Sequence, residues 1–131
     1  KAEWIAKGED IAILAEGHML DAAYGAVERL RAEGKNPSLV NIRFIRPLDG
    51  EILRAVAEDC SHIFTVEDNV RDGGFGSAVL EFYSDHDIAA NVKNLAFPDV
   101  YIEQGTQAQL FAKYGLDAEG IYQSIKKTLG E

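Results

Sequence analysis

A short polar segment between an apolar run and a glycine-rich turn holds the side chains of this chain best suited to chemistry. The run 62–66 ends in Glu67, Asp68 and Asn69, and the glycine-rich turn follows at 73–77. Carboxylates in this position suit acid/base chemistry or the binding of a cation. They also suit local stabilisation of a turn by Glu67, Asp68 and Asn69, which is the interpretation that the residue types favour.

The turn itself is a candidate anion site. It consists of Gly73, Gly74, Phe75, Gly76 and Ser77, and it precedes a segment with helical spacing. Backbone N–H groups at the start of a helix attract anions. The spacing matches neither a dinucleotide-binding fingerprint nor a Walker P-loop. In the favoured alternative, the glycines adopt positive φ or let the helix pack closely on the preceding strand.

Three further polar residues are expected at the same rim of the fold. His18 follows the first long apolar run, where it suits proton donation or a bond to a backbone carbonyl. Arg46 suits a carboxylate or phosphate contact, or a plain ion pair. Gln104 lies in a tight polar turn and is a rim or interface candidate. No nucleophile has a matching base and no metal-ligand spacing occurs, so the residues assign no catalytic, cofactor-binding or metal-binding group.

Alternating patterns along the chain predict the elements that position these residues. Apolar runs predict strands at 11–15, 39–44, 62–66 and 92–97, with an edge strand at 4–5 or 100–102. Helical spacing follows each long run, and Asp49, Thr106 with Gln109, and Asp117 are predicted helix caps. The alternation predicts a three-layer α/β/α sandwich with a mostly parallel sheet of about five strands.

Length and composition limit the kind of protein. The chain has 131 residues, which predicts a single domain over 1–131, and its formal charge of −9 disfavours nucleic acid and anionic membranes as partners. The single cysteine, Cys60, excludes an internal disulfide and is expected to be a small buried hydrophobe. No apolar run approaches the roughly 18 residues of a membrane span, and a cytoplasmic setting is expected. The chain starts at Lys1 and its one methionine is Met19, which we interpret as excision from a longer polypeptide.

Several segments resemble, in order, the C-terminal domain of the thiamine-diphosphate enzymes of the transketolase group. Within that group the resemblance is greatest to the 1-deoxy-D-xylulose-5-phosphate synthase family. The matching segments are 8–17, 41–49, 66–69, 73–81, 102–107 and 114–121. The chain differs from the family pattern at Asp68, where the family usually has glutamate, and at Gln104, where it often has histidine.

The resemblance implies the transketolase C-terminal fold within a longer, homodimeric enzyme. That enzyme would condense pyruvate with glyceraldehyde 3-phosphate to 1-deoxyxylulose 5-phosphate and carbon dioxide. Thiamine diphosphate and Mg²⁺ would be held by the missing N-terminal domains and not by this one, which would complete the dimer and flank the site. The alternatives are the C-terminal domain of a transketolase or of a 2-oxo-acid dehydrogenase β subunit, and a free-standing anion-binding α/β domain.

Overall fold

The computed structural model describes residues 2–42, 48–70, 74–97 and 106–131, without the side chains at 18, 69, 70 and 107. Its five strands form one sheet in the order β1-β3-β2-β4-β5, in which β1 is antiparallel to β3 and the other neighbours are parallel. The predicted mostly parallel sheet is confirmed, and so is the edge strand near Trp4. The elements are β1 (Glu3–Ala6), β2 (Asp10–Glu16), α1 (Leu20–Ala32), β3 (Ser38–Ile42), α2 (Gly50–Asp59), β4 (Cys60–Val70), α3 (Phe75–Asp85), β5 (Val92–Phe97), α4 (Gln107–Lys113) and α5 (Ala118–Thr128).

Two apolar clusters cover the two faces of the sheet. The central strand β2 pairs with β3 on one side and β4 on the other, and it is buried from Ile11 to Ala15. Alternate β2 side chains enter opposite clusters, so that Ile13 packs with α1 and α5 while Leu14 packs with α2 and α3. A continuously apolar strand is therefore explained by a sheet that is covered on both faces, as predicted.

Buried polar groups in the α2–α3 layer are paired. The Tyr83 hydroxyl on α3 donates a hydrogen bond of 2.7 Å to the carbonyl of Leu53 on α2. Burial, followed by the nearby Cys60, raises the pKa of Tyr83 far above its ordinary value, so the phenol stays protonated. Burial likewise raises the pKa of Cys60 at the start of β4, which agrees with the predicted role as a small buried hydrophobe.

The predicted local caps are present. Asp49 accepts from the Ile52 N–H at 3.3 Å, and Asp117 accepts from the Gly120 N–H at 2.8 Å. Thr106 and Gln109 exchange reciprocal side chain–backbone hydrogen bonds at the start of α4, which completes the capping box. These bonds satisfy N–H groups that a helix leaves without intrahelical partners.

Ion pairs join the end of α5 to the end of α1. The Glu131 carboxylate lies 2.9 Å from Lys35 Nζ and 2.8 Å from Lys126 Nζ, while Lys126 also contacts Glu33 at 2.7 Å. Hydrogen bonds from Lys126 and then Lys35 lower the pKa of Glu131 to about 2. In the described part of the chain, no helix has the length and apolar character needed to cross a membrane.

Candidate functional site at the carboxyl edge of the sheet

The polar segment and the glycine-rich turn meet where β4 ends and α3 begins. The four parallel strands, β2 to β5, place their carboxyl ends at one edge of the sheet, the usual location of sites in open α/β sheets. Glu67, Asp68 and Asn69 belong to β4, which extends to Val70, and are not part of a turn. The structure therefore places the two carboxylates on a strand that runs directly towards the start of α3.

Glu67 is the anion at the start of α3. Its side chain is buried, with 1% of its surface exposed, and its Oε1 accepts from the Phe75 N–H at 2.9 Å. Its Oε2 accepts from the Gly76 N–H at 2.7 Å. The carboxylate thus satisfies two N–H groups of the first turn and lies at the positive end of the helix dipole. The backbone donors at Phe75 and Gly76, which made the turn a candidate anion site, hold a carboxylate of the chain itself.

The two described glycines of the turn make room for this carboxylate. A Cβ on Gly74 would lie 2.2 Å from Glu67 Oε1. A Cβ on Gly76 would lie 2.8 Å from the Asn94 amide and 2.9 Å from Glu67 Oε2. Gly74 has φ −85° and ψ −175°, which any residue can adopt, and neither glycine has positive φ. Of the two glycine roles considered from the sequence, close packing is the one observed for Gly74 and Gly76.

A second buried polar contact lies beside the carboxylate. The Thr65 hydroxyl donates to Asn94 Oδ1 at 2.7 Å, and Thr65 lies opposite Asn94 where β4 pairs with β5. Thr65 is fully buried and Asn94 is half-buried. Sequence reasoning singled out neither residue. The available signal was a polar side chain within each of two apolar strand runs, but their pairing depends on a register that the sequence does not display.

Of the remaining predicted site residues, some lie at or near this edge, and the others lie outside the described residues. Asp68 is half-buried at the position after Glu67, in the part of β4 between Val66 and Val70 where the register with β5 shifts. Ser77 is half-buried in the first turn of α3. Arg46, Gly73 and Gln104 lie outside the described residues, as do the side chains of His18 and Asn69. The proposed roles of these five remain predictions.

A cavity of about 350 Å³ lies at the opposite edge, at the amino ends of β2 and β4. Its lining includes Asp10, Lys35, His62 and Glu131. Three of its polar groups have partners in the structure: Lys35 pairs with Glu131 at 2.9 Å, and His62 Nδ1 lies 3.2 Å from the Asn91 amide nitrogen. Because it lies at the opposite edge of the sheet, the cavity is separate from the β4–α3 junction that the sequence indicated.

The start of α3 does not fit a diphosphate with its metal ion. The N–H groups of Phe75 and Gly76 are used by Glu67. Among residues 2–42, 48–70, 74–97 and 106–131, no group of three or more His, Cys, Asp or Glu side chains is arranged to hold a metal.

Residues 1–121 match the family model described as "Transketolase, C-terminal domain". A 1-deoxy-D-xylulose-5-phosphate synthase of Syntrophotalea carbinolica is 47% identical over 126 residues, which cover 96% of this chain and 20% of that protein. The synthase of Aquifex aeolicus is 43% identical over 127 residues, which cover 97% of this chain and 20% of that protein. The chain thus spans about a fifth of the length of these relatives.

Solved structures share the fold. One described as a split-gene transketolase in an inactive β4 tetramer superposes with a TM-score of 0.89 at 31% identity, covering 99% of this chain and 42% of that chain. A transketolase mutant of Pichia stipitis superposes with a TM-score of 0.69 at 18% identity, covering 98% of this chain and 18% of that chain. The second similarity shows the fold alone.

Proposed function

Because this chain belongs to the transketolase C-terminal domain family, we propose that it is the C-terminal domain of a 1-deoxy-D-xylulose-5-phosphate synthase. The observation that carries the proposal is the similarity, over nearly the whole chain, to bacterial proteins of that name. The longer enzyme would condense pyruvate with glyceraldehyde 3-phosphate and release carbon dioxide. Its thiamine diphosphate and Mg²⁺ would lie in domains that precede this one, in a cytoplasmic enzyme.

Within that enzyme, this domain would support the site without supplying the reacting groups. The β4–α3 junction supports this role, because its two N–H donors hold the Glu67 carboxylate at 2.9 and 2.7 Å. A carboxylate buried in this way ties strand to helix. The same contacts disfavour a free-standing domain that binds an external anion at the turn, since two of the donors that such an anion would need are occupied.

The partners would be the N-terminal domains of the same polypeptide and a second copy of the enzyme. The structural relative described as a split-gene transketolase in an inactive β4 tetramer supports the second of these, association between copies. That protein is described as a tetramer and as inactive, and the matched region makes up 42% of its chain. A transketolase is the second candidate function, favoured by the TM-score of 0.89 to this relative. The names of the curated relatives favour the synthase.

The test is an assay of the longer protein that carries this domain. With thiamine diphosphate and Mg²⁺ added, we expect it to form 1-deoxyxylulose 5-phosphate from pyruvate and glyceraldehyde 3-phosphate. A parallel assay with a ketose phosphate donor in place of pyruvate separates the two candidates. Transfer from the ketose phosphate without use of pyruvate would identify a transketolase and contradict the synthase proposal.

A further inference from the structure

Helix α3 is capped differently from three other helices in the described part of the chain. The residue directly before α2, α4 and α5 supplies the cap, from Asp49, Thr106 and Asp117 respectively. Before α3 that residue is Gly74, which has no side chain to offer. The cap comes instead from Glu67 on the preceding strand.

A cap from the residue before α3 would satisfy its first N–H groups without burying a charged side chain. Serine, threonine or aspartate before a helix ordinarily serves as the cap, whereas here a carboxylate is buried and two close glycines are required. Burying a charged group is unfavourable unless hydrogen bonds compensate it. What the remote cap adds is a link between two elements, since one side chain fixes the end of β4 against the start of α3. We call this contact the Glu67 clamp, meaning the Glu67 carboxylate with the N–H groups of Phe75 and Gly76.

The clamp also fixes the backbone from which the next strand residue projects. Asp68 follows Glu67 directly in β4, within the stretch between Val66 and Val70 where the register with β5 shifts, so its placement depends on how that stretch is held. On the side of β5, the position of α3 is limited by Asn94, whose amide would meet a Cβ on Gly76 at 2.8 Å. The Thr65 hydroxyl holds Asn94 in turn, with a bond of 2.7 Å. The strand end is thus fixed by contacts from both α3 and β5.

We propose that Glu67 is a positioning residue for the reaction of the longer enzyme, an inference that rests on the proposed synthase function. Its carboxylate takes the place of an external anion at the α3 N-terminus. By doing so it holds the carboxyl end of β4, and with it Asp68, in the placement that the catalytic domains require. Glu67 acts through the strand it holds and touches no substrate.

The test compares Glu67→Ala and Glu67→Gln with Asp117→Ala in the longer enzyme. Asp117→Ala is the matched control, because it removes a helix cap of 2.8 Å that joins α5 to no strand. We expect Glu67→Ala to lower kcat about tenfold to a hundredfold with little change in KM, as expected when a supporting group is misplaced. Asp117→Ala is expected to lower the melting temperature and leave kcat at the wild-type value.

Formate supplies a second readout, measured well below the melting temperature of Glu67→Ala, where the variant is folded with or without formate. It should occupy the space left in Glu67→Ala, bind the two N–H groups and restore kcat with a saturable dependence on concentration. Chloride at the same ionic strength should not do so, and neither should formate added to Glu67→Gln, whose side chain fills the space. A wild-type kcat in Glu67→Ala, or a loss of kcat that formate leaves unchanged, would overturn the proposal.

Two further outcomes are separable. If Glu67→Ala does not fold, Glu67→Gln retains the side-chain volume, and a wild-type kcat in that variant overturns the proposal. If the wild-type longer protein forms no 1-deoxyxylulose 5-phosphate, the proposed function fails. The clamp is then judged in the same protein by melting temperature. If formate raises the melting temperature of Glu67→Ala and not that of the wild type, the clamp is supported. If formate leaves the melting temperature of Glu67→Ala unchanged, the clamp is overturned.

Discussion

At the scale of single residues, the Glu67 carboxylate explains why Gly74 and Gly76 have no side chain. The Gly74 backbone is extended at φ −85°, so the absence of a side chain is required by the neighbouring Glu67 oxygen and not by the dihedral angles. Gly34 is the opposite case. It has φ +90°, and a Cβ added there would meet no atom within 4 Å, so its requirement is purely conformational.

Gly74 and Glu67 provide a double-mutant prediction, for which Gly34 is the control. Gly74→Ala should destabilise the chain by about 1–3 kcal/mol, because the new methyl group is forced against a buried carboxylate. In a Glu67→Ala background the same change should cost less by about 1 kcal/mol or more, since the clashing atoms are gone. Urea unfolding of the four variants measures this difference.

Gly34→Ala is the control for this cycle. Its cost of about 1 kcal/mol or more comes from positive φ and should be the same in both backgrounds. Equal costs of Gly74→Ala with and without Glu67 would show that the turn is constrained by its backbone conformation, contrary to the contact described here.

At the scale of elements, the junction depends on a buried polar contact between β4 and β5. Thr65 donates to Asn94 at 2.7 Å, and Asn94 lies against Gly76 at the start of α3. Thr65→Val keeps the shape but removes the donor, so we expect a loss of about 1 kcal/mol in the free energy of unfolding. In an Asn94→Leu background the further loss should be close to zero. A full loss in that background would mean that the hydroxyl acts through a different partner.

The elements themselves were largely predictable, because their signals are local. Asp49, the Thr106–Gln109 pair and Asp117 lie within a few residues of the N–H groups they cap. The Glu67 clamp was not predicted, because it depends on how the end of β4 lies against α3. The Thr65–Asn94 bond depends in the same way on the register of β4 with β5. Long-range placement of this kind leaves no periodic pattern in the sequence.

At the scale of the whole molecule, one charge cluster predicts a dependence on pH. The folded-state pKa of Glu131 is lowered from 4.5 to about 2 by Lys126 and then Lys35. The stabilisation should therefore be fully present above pH 4.5 and fade as the pH falls towards 2. The difference in melting temperature between wild type and Glu131→Gln should shrink over that window. Because the Glu131 side chain is exposed, high salt should also reduce this difference in melting temperature at neutral pH. A difference that does not change with pH would contradict this assignment.

This domain spans a fifth of the length of its relatives. At the start of α3, where an external anion could bind, it places its own Glu67 carboxylate. Titration calorimetry of this chain with thiamine diphosphate and Mg²⁺ tests that account most directly. We predict no measurable heat of binding, while the longer protein binds the cofactor under the same conditions. Saturable binding to this chain alone, at micromolar affinity, would contradict the account.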